Sequence, residues 1–436
     1  MHIANKADRL ELLNVRSLHT RVFHMSWLAF FLCFFAWFAI APLMPVVREE
    51  FGLSKAEIGN TIIASVAITM LTRIVIGWLC DRIGPRITYS ALLLLGSLPV
   101  MTIGFADDYH SFLLSRLAIG AIGASFVITQ YHTTAFYAAR CVGTANATSA
   151  GWGTLGGGVA QVVMPAVFSL FVGAGISAFY SWRLSMVVVG VLCAVVGVAY
   201  FLFTQDTPDG NFADLRARGR LRRKTDTRGG LIEVCSDKRV WLLFLTYGAC
   251  FGVELTMHNM AALYFTDYFH LTLKEAGLMA GLFGVMNIFA RSLGGLLGDR
   301  AGHRFGLKGR VNWLAAALLF EGLALMLFSR ATGLAPAVGL LVVVSLCVQM
   351  SEGATFAIVP FVNPRAVGSV SGIVGAGGNA GAVAAGFLFK GDLPWPEAFL
   401  VLGAAVVLVA SLVFLLRLSE AAQPRSSIPA MSDSIA

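Results

Sequence analysis

Apolar residues along this chain come in long blocks rather than in alternation. Runs of about 20 residues recur twelve times, at about 27–47, 58–79, 87–105, 111–139, 146–172, 182–204, 240–267, 275–298, 311–329, 335–362, 368–389 and 396–417. Each is long enough for a helix rising about 1.5 Å per residue to cross about 30 Å of hydrocarbon. The connectors are short and polar, the longest running from Gln205 to Lys238. The pattern predicts an all-α polytopic membrane protein of twelve transmembrane helices, with little left over for a soluble domain.

A net charge of +8 could suggest a nucleic-acid partner, but its placement argues otherwise. Of the 32 Lys and Arg, 23 fall on the side of the termini and the even-numbered loops, 6 on the opposite side, and 3 (Arg73, Arg116 and Arg291) inside spans. That asymmetry follows the positive-inside rule and predicts both termini in the cytoplasm. The opening residues carry both signs of charge and no cleavage site, as expected of a cytoplasmic lead-in. The basic stretch RARGRLRRKTDTRGG reads as a solvated linker that can meet lipid headgroups. The chain thus divides into a six-helix half at 1–204, a linker at 205–239, a second half at 240–419 and a cytoplasmic tail at 420–436. Seven cysteines form no CxxC pair, so neither a metal site nor a disulfide framework is expected.

The segment TRIVIGWLCDRIGPR at 72–86 returns at 290–304 as ARSLGGLLGDRAGHR. At a constant offset of 218, Arg73, Gly77, Asp81, Arg82, Gly84 and Arg86 fall on Arg291, Gly295, Asp299, Arg300, Gly302 and Arg304. This duplication predicts two pseudo-symmetric halves with a site between them at mid-membrane. The shared Asp-Arg-x-Gly-x-Arg element suits a tight cytoplasmic turn, with Gly84 and Gly302 free to take positive φ.

Asp81 marks the membrane boundary, so Arg73 lies about 12 Å deeper, near the midplane, and Arg291 lies as deep below Asp299. No Asp or Glu occupies a span of the first half; Glu254, Glu321 and Glu352 are the acids deep in the second. Two midplane arginines without evident counter-charges point to an anion as cargo. A guanidinium offers a planar fork of donors and keeps its charge. Arg116 lies near the outer end of the fourth span, within reach of the interface, and reads as structural. The glycine-rich stretches SAGWGTLGGG and VGAGGNAGAV, in the fifth and eleventh spans, predict a narrow site for a small anion or close helix packing.

These glycine stretches, together with TRIVIGWLCDRIGPR, SFVITQYH, YGACFGVELTMHNMAALYF, NIFARSLGGLLGDR and GATFAIVPFVNPRAVGSVSG, resemble the nitrate/nitrite porter family of the major facilitator superfamily. The match covers nearly the whole chain and is close to the branch of plant and fungal nitrate importers. The resemblance implies a bacterial member of the major facilitator fold in the cytoplasmic (inner) membrane, without cofactor, monomeric, carrying nitrate and nitrite. It implies that Arg73 and Arg291 clamp nitrate, that Asn379, Thr154, Gly153 and Gly377 line the site, and that Tyr247 adds a hydroxyl. Phe126, Phe251 and Phe356 would form aromatic walls. Asp81, Arg82, Arg86, Asp299, Arg300 and Arg304 would form a charge latch between access states. Thr154 stands where the family usually has Asn, and His132 where the plant and fungal relatives usually have Trp.

An anion entering a cell alone moves against the membrane potential, at about 2.3 kcal/mol per charge per 100 mV. Coupling to protons, or exchange of nitrate for nitrite, removes that opposition. Glu254 with His258 one turn later is the leading protonatable pair, followed by Glu352 and His132; an ion pair between Glu254 or Glu352 and an arginine is the structural alternative. A nitrate-binding membrane receptor is a rival from another class, against which stands the lack of an attached signalling domain. An enzyme is not expected, since the chain has no nucleophile elbow, P-loop or zinc-type cluster.

Overall fold

The computed structural model describes residues 5–138, 141–219, 233–363 and 367–416. The tail at 420–436 and the core of the basic linker lie outside the described residues. The first half comprises α1 (Leu18–Phe38), α2 (Lys55–Ile83), α3 (Pro85–Thr102), α4 (Tyr109–Phe136), α5 (Val142–Gly173) and α6 (Ala178–Phe203). The second begins with α7 (Lys238–Phe269) and ends with α10 (Leu334–Ile358), α11 (Val367–Lys390) and α12 (Trp395–Val413).

Between α7 and α10 a single apolar stretch, Leu273–Phe328, is 56 residues long. It is a hairpin: Gly306 leaves the helical region with φ 67° and ψ −160°. The arms run back along each other, with the Trp313 indole donating to the Gly294 carbonyl at 2.9 Å and Arg310 bound to Asp299. Residues 273–305 are therefore α8 and 307–328 are α9, giving twelve passes among the described residues. The twelve expected spans are all accounted for, with ends displaced by up to seven residues, and by nine at each end of α1.

The duplication reaches further than the quoted motif. At the N-terminus of α2, Ser54 and Glu57 cap each other's backbone N–H groups; at the same offset, Thr272 and Glu275 do so for α8. The turns diverge, however. The first half reverses at Gly84, φ 91°, where Asp206 crowds so closely that a side chain would collide with its carboxylate. In the second half Gly302 stays helical and the reversal comes four residues later, which corrects the expectation of a positive φ at Gly302.

The halves meet where α2 packs on α11 and where its repeat partner α8 packs on α5. In the second of these contacts the Gly158 and Gly284 backbones touch directly, with no room for a methyl group on either. Some polar bonds between the halves lie at the face away from the termini, called the distal face below. There Arg48 of the α1–α2 connection clasps Asp267 of α7 at 2.5 and 2.8 Å, and Lys55 bonds the Leu393 carbonyl. These bonds tie the two halves together at the distal face.

Candidate functional site

The site is assembled by the repeat. Because α2 and α8 cross the membrane in equivalent places, Arg73 and Arg291 come to the same ring: each guanidinium carbon lies 5.9 Å from the centroid of Phe251 on α7. The two charges are thus within twice that distance of one another. Phe126 of α4 lies 5.7 Å from Arg73. Tyr247 stacks on Phe251 at 5.1 Å and 12°, and Phe356 of α10 stands edge-on to Tyr247 at 5.0 Å and to Phe126 at 6.2 Å. Four aromatic rings therefore surround two cations and lower the local dielectric, which strengthens any charge contact made there.

The arginines differ in their partners. Arg73 Nη1 donates to the Gly375 carbonyl of α11 at 2.6 Å, and its Nε finds no acceptor among the described residues. Arg291 Nη2 is bound to the Glu352 carboxylate of α10 and donates to the Tyr247 hydroxyl at 3.2 Å, leaving Nη1 without an acceptor. The expectation of two uncompensated arginines is corrected: only Arg73 lacks an acid. Asn379, one turn beyond Gly375, donates to the Val66 carbonyl of α2 at 3.2 Å and keeps its Oδ1 free of protein donors.

Beside this cluster a polar chain crosses between the halves. The Thr154 hydroxyl of α5 donates to Asn287 Oδ1 of α8 at 2.8 Å, and the Asn287 amide donates to Glu254 Oε1 of α7 at 3.1 Å. His258 Nε2 is 3.6 Å from the same carboxylate, and Gln161 of α5 donates to the His258 carbonyl at 2.7 Å. Glu254 thus pairs with no arginine directly. Thr154 therefore bonds Asn287 rather than a guanidinium group.

Other sequence-derived candidates lie elsewhere. His132 is buried within the first half, its Nδ1 accepting from the Tyr200 hydroxyl at 2.5 Å and its Nε2 donating to the Gln205 carbonyl at 2.8 Å. Both nitrogens are occupied, as in a satisfied core histidine. Gly153 backs onto the Phe30 ring and Gly377 onto the Phe244 carbonyl, so both allow close helix contact. Gly375 alone of the expected stretch faces a guanidinium and Gly378 lies against Phe251. Arg116 does not reach the interface: it is fully buried.

Among the described residues, the contacts made by the repeated loop motif stay on its own side of the two-half division. Arg86 donates its backbone N–H to Asp206 at 2.9 Å and its Nε to the Phe201 carbonyl at 2.7 Å. Burial pushes the Asp206 carboxyl above the ordinary aspartate range, against the pull of N–H groups from Phe212 and Arg86. Asp299 holds Arg310, Arg216 donates to the Asp81 carbonyl, Arg82 lies over Trp78 and Arg304 over Phe305. Arg300 is exposed. With the halves joined at the distal face, this motif ties helices within each half.

Asn287 and Gln161 were not foreseen. The repeat carried a signal for Asn287: it sits four residues before Arg291, as Thr69 sits four before Arg73, so each arginine has a polar residue one turn ahead on its own face. Gln161 has no such signal.

The Major Facilitator Superfamily sequence profile matches residues 26–385, and the chain belongs to that superfamily. A solved bacterial homologue of the human lysosomal transporter Spinster, in an inward-facing and occupied conformation, shares the fold with a TM-score of 0.71 at 18% identity, covering 94% of this chain and 99% of that one. Within the superfamily the chain belongs to the nitrate/nitrite porter family. It is 40% identical to high affinity nitrate transporter 2.5 of Arabidopsis thaliana over 88% of this chain and 76% of the relative. It is 30% identical to the nitrate/nitrite transporter NrtP of a Picosynechococcus strain over 84% and 83%. The protein is an integral membrane transporter, not an enzyme.

Proposed function

We propose that the protein carries nitrate, and nitrite as a second substrate, by alternating access across the bacterial cytoplasmic membrane, with both termini in the cytoplasm. The supporting observation is the convergence of Arg73 and Arg291 on one aromatic ring, each with an N–H that has no protein acceptor. A planar trigonal anion fits two guanidinium forks between rings, because each fork is flat and each ring face accepts a delocalised group. Asn379 and Tyr247 stand at the edge of this space as further polar contacts. With the halves tied at the distal face by Arg48 and Asp267, the described state reads as inward-facing. The loop motifs at Asp81–Arg86 and Asp299–Arg304 engage across the halves in the opposite state.

Proton coupling follows from the Glu352 partnership. A nitrate that takes Arg291 displaces a carboxylate from its counter-charge in a dry site, which costs several kcal/mol unless the acid gains a proton. Glu352 therefore takes up a proton as nitrate binds and returns it on release. That stoichiometry moves no net charge. A second proton at Glu254 and His258 makes entry favourable under an inside-negative potential.

Exchange for nitrite is the second reading, favoured by Arg73. With only the Gly375 carbonyl as polar partner, an empty carrier returns with this charge uncompensated, whereas one loaded with another anion does not.

The experiment is uptake into proteoliposomes. Nitrate accumulation under an imposed pH gradient, acid outside and without internal nitrite, is expected for symport. Uptake that starts only when nitrite is loaded inside establishes exchange. No flux of either kind sinks the transport reading.

A further inference from the structure

Arg116 is the third arginine of the spans, and the site above makes no use of it. It lies on α4 seven residues in from Tyr109, about 10 Å below the distal face at helical rise. That places it between the distal face and the Arg73–Arg291 cluster. The residue is 1% exposed. Its Nη2 donates to Asn259 Oδ1 at 2.8 Å, across the boundary between halves, and its Nη1 to the Trp37 carbonyl at 3.3 Å. Nε finds no acceptor among the described residues. Both acceptors are neutral; of the distal acids, Asp267 holds Arg48 and Glu50 holds Arg183.

A guanidinium buried against neutral oxygens alone is costly, and it cannot shed its proton to escape. What it lacks is negative charge. Asn259 is suited to a temporary partnership: its own amide donates to the Leu255 carbonyl at 2.9 Å, so only one weak acceptor is offered to Arg116. When α4 and α7 part, that acceptor withdraws with the second half, and the guanidinium faces the opened vestibule.

We propose that Arg116 is an anion-recruitment site of the distal vestibule, which binds the incoming small monovalent anion before it reaches Arg73 and Arg291. Asn259 replaces the anion when the face closes, so recruitment and closure alternate at one side chain. This inference rests on the transport reading above.

The test is the KM for nitrate measured separately at each face, in right-side-out and inside-out vesicles. Arg116→Gln is expected to raise the distal KM roughly tenfold, the worth of one charge-assisted hydrogen bond, and to leave the terminal-face KM within about twofold. Arg116→Lys should restore most of the distal affinity. Asn259→Asp should raise the distal KM as well, by holding the guanidinium permanently. An unchanged distal KM in Arg116→Gln, or an equal change at both faces, overturns the proposal. If the unmodified protein moves no nitrate, the transport reading fails and a second measurement decides for Arg116. Leu263→Cys, one turn nearer the distal face than Asn259, is labelled from that side with an impermeant maleimide. Slowing of labelling by nitrate, nitrite or chloride with Arg116 present, and its loss in Arg116→Gln, supports the site; slowing in both proteins, or in neither, removes it.

Discussion

Arg73 and Arg291 occupy equivalent places in a duplicated structure, yet one holds a backbone carbonyl and the other a carboxylate. The first can only attract an anion. The second must choose between an anion and Glu352. Duplication therefore supplies a symmetric pair of charges, and in the reading proposed above the single acid on α10 turns half of that pair into a competition that a proton can decide. In the proposed cycle binding and coupling do not sit on separate groups: they share one guanidinium.

The comparison breaks most severely when the arginines themselves change. Arg73→Lys and Arg291→Lys each keep the charge but lose the fork, and nitrate binding to purified protein should weaken by roughly 100-fold, the worth of one or two charged hydrogen bonds. Affinity within threefold of the parent for either variant would remove the clamp. Next comes Glu352→Gln, which makes the surroundings of Arg291 resemble those of Arg73. Nitrate should then bind roughly tenfold tighter at neutral pH, and its affinity should lose its dependence on pH, as read by titration between pH 5 and 8. Transport driven by a pH gradient should fall while exchange survives. Phe251→Leu removes the ring that both arginines share. Because a cation over a ring contributes about 1 kcal/mol, nitrate affinity should drop roughly fivefold, and by a similar factor in an Arg73→Lys background if both guanidinium groups use it. The smallest effect is expected from Tyr247→Phe, which deletes only the 3.2 Å contact of Arg291. A loss of about threefold in affinity is the expected outcome, and no loss at all would assign the hydroxyl to packing.

The fold was almost fully legible because membrane spans announce themselves by length and hydropathy, and because the duplication gave each element of one half a check in the other. The hairpin at Gly306 shows the limit. Its sequence places an Asp-Arg-x-Gly-x-Arg motif where the first half turns, yet Gly302 remains helical, since a turn forms where the neighbouring contacts permit and Gly84 alone has Asp206 pressed against it. Of the site, the arginines and aromatic rings could be read from depth and resemblance. The partner of Arg291 could not: Glu352 was visible as a deep acid, but choosing between it and Glu254 required knowing which faces of α7 and α10 look toward α8. The direction each glycine faces was equally hidden. Gly153 and Gly377 belong to stretches that touch the site, but each points its missing side chain at a neighbouring helix.

The contact of Gly158 with Gly284 has a mechanical consequence. Side chains that interlock across an interface act as detents, and each must be lifted from its seat before the surfaces can move. Two bare backbones have no such detents and can roll on each other like a plain bearing. Resistance to rocking is therefore expected away from this contact, at the rim where Arg48 and Asp267 must let go. In such an arrangement the ion pair at the rim, and not the glycine bearing, would set the tempo.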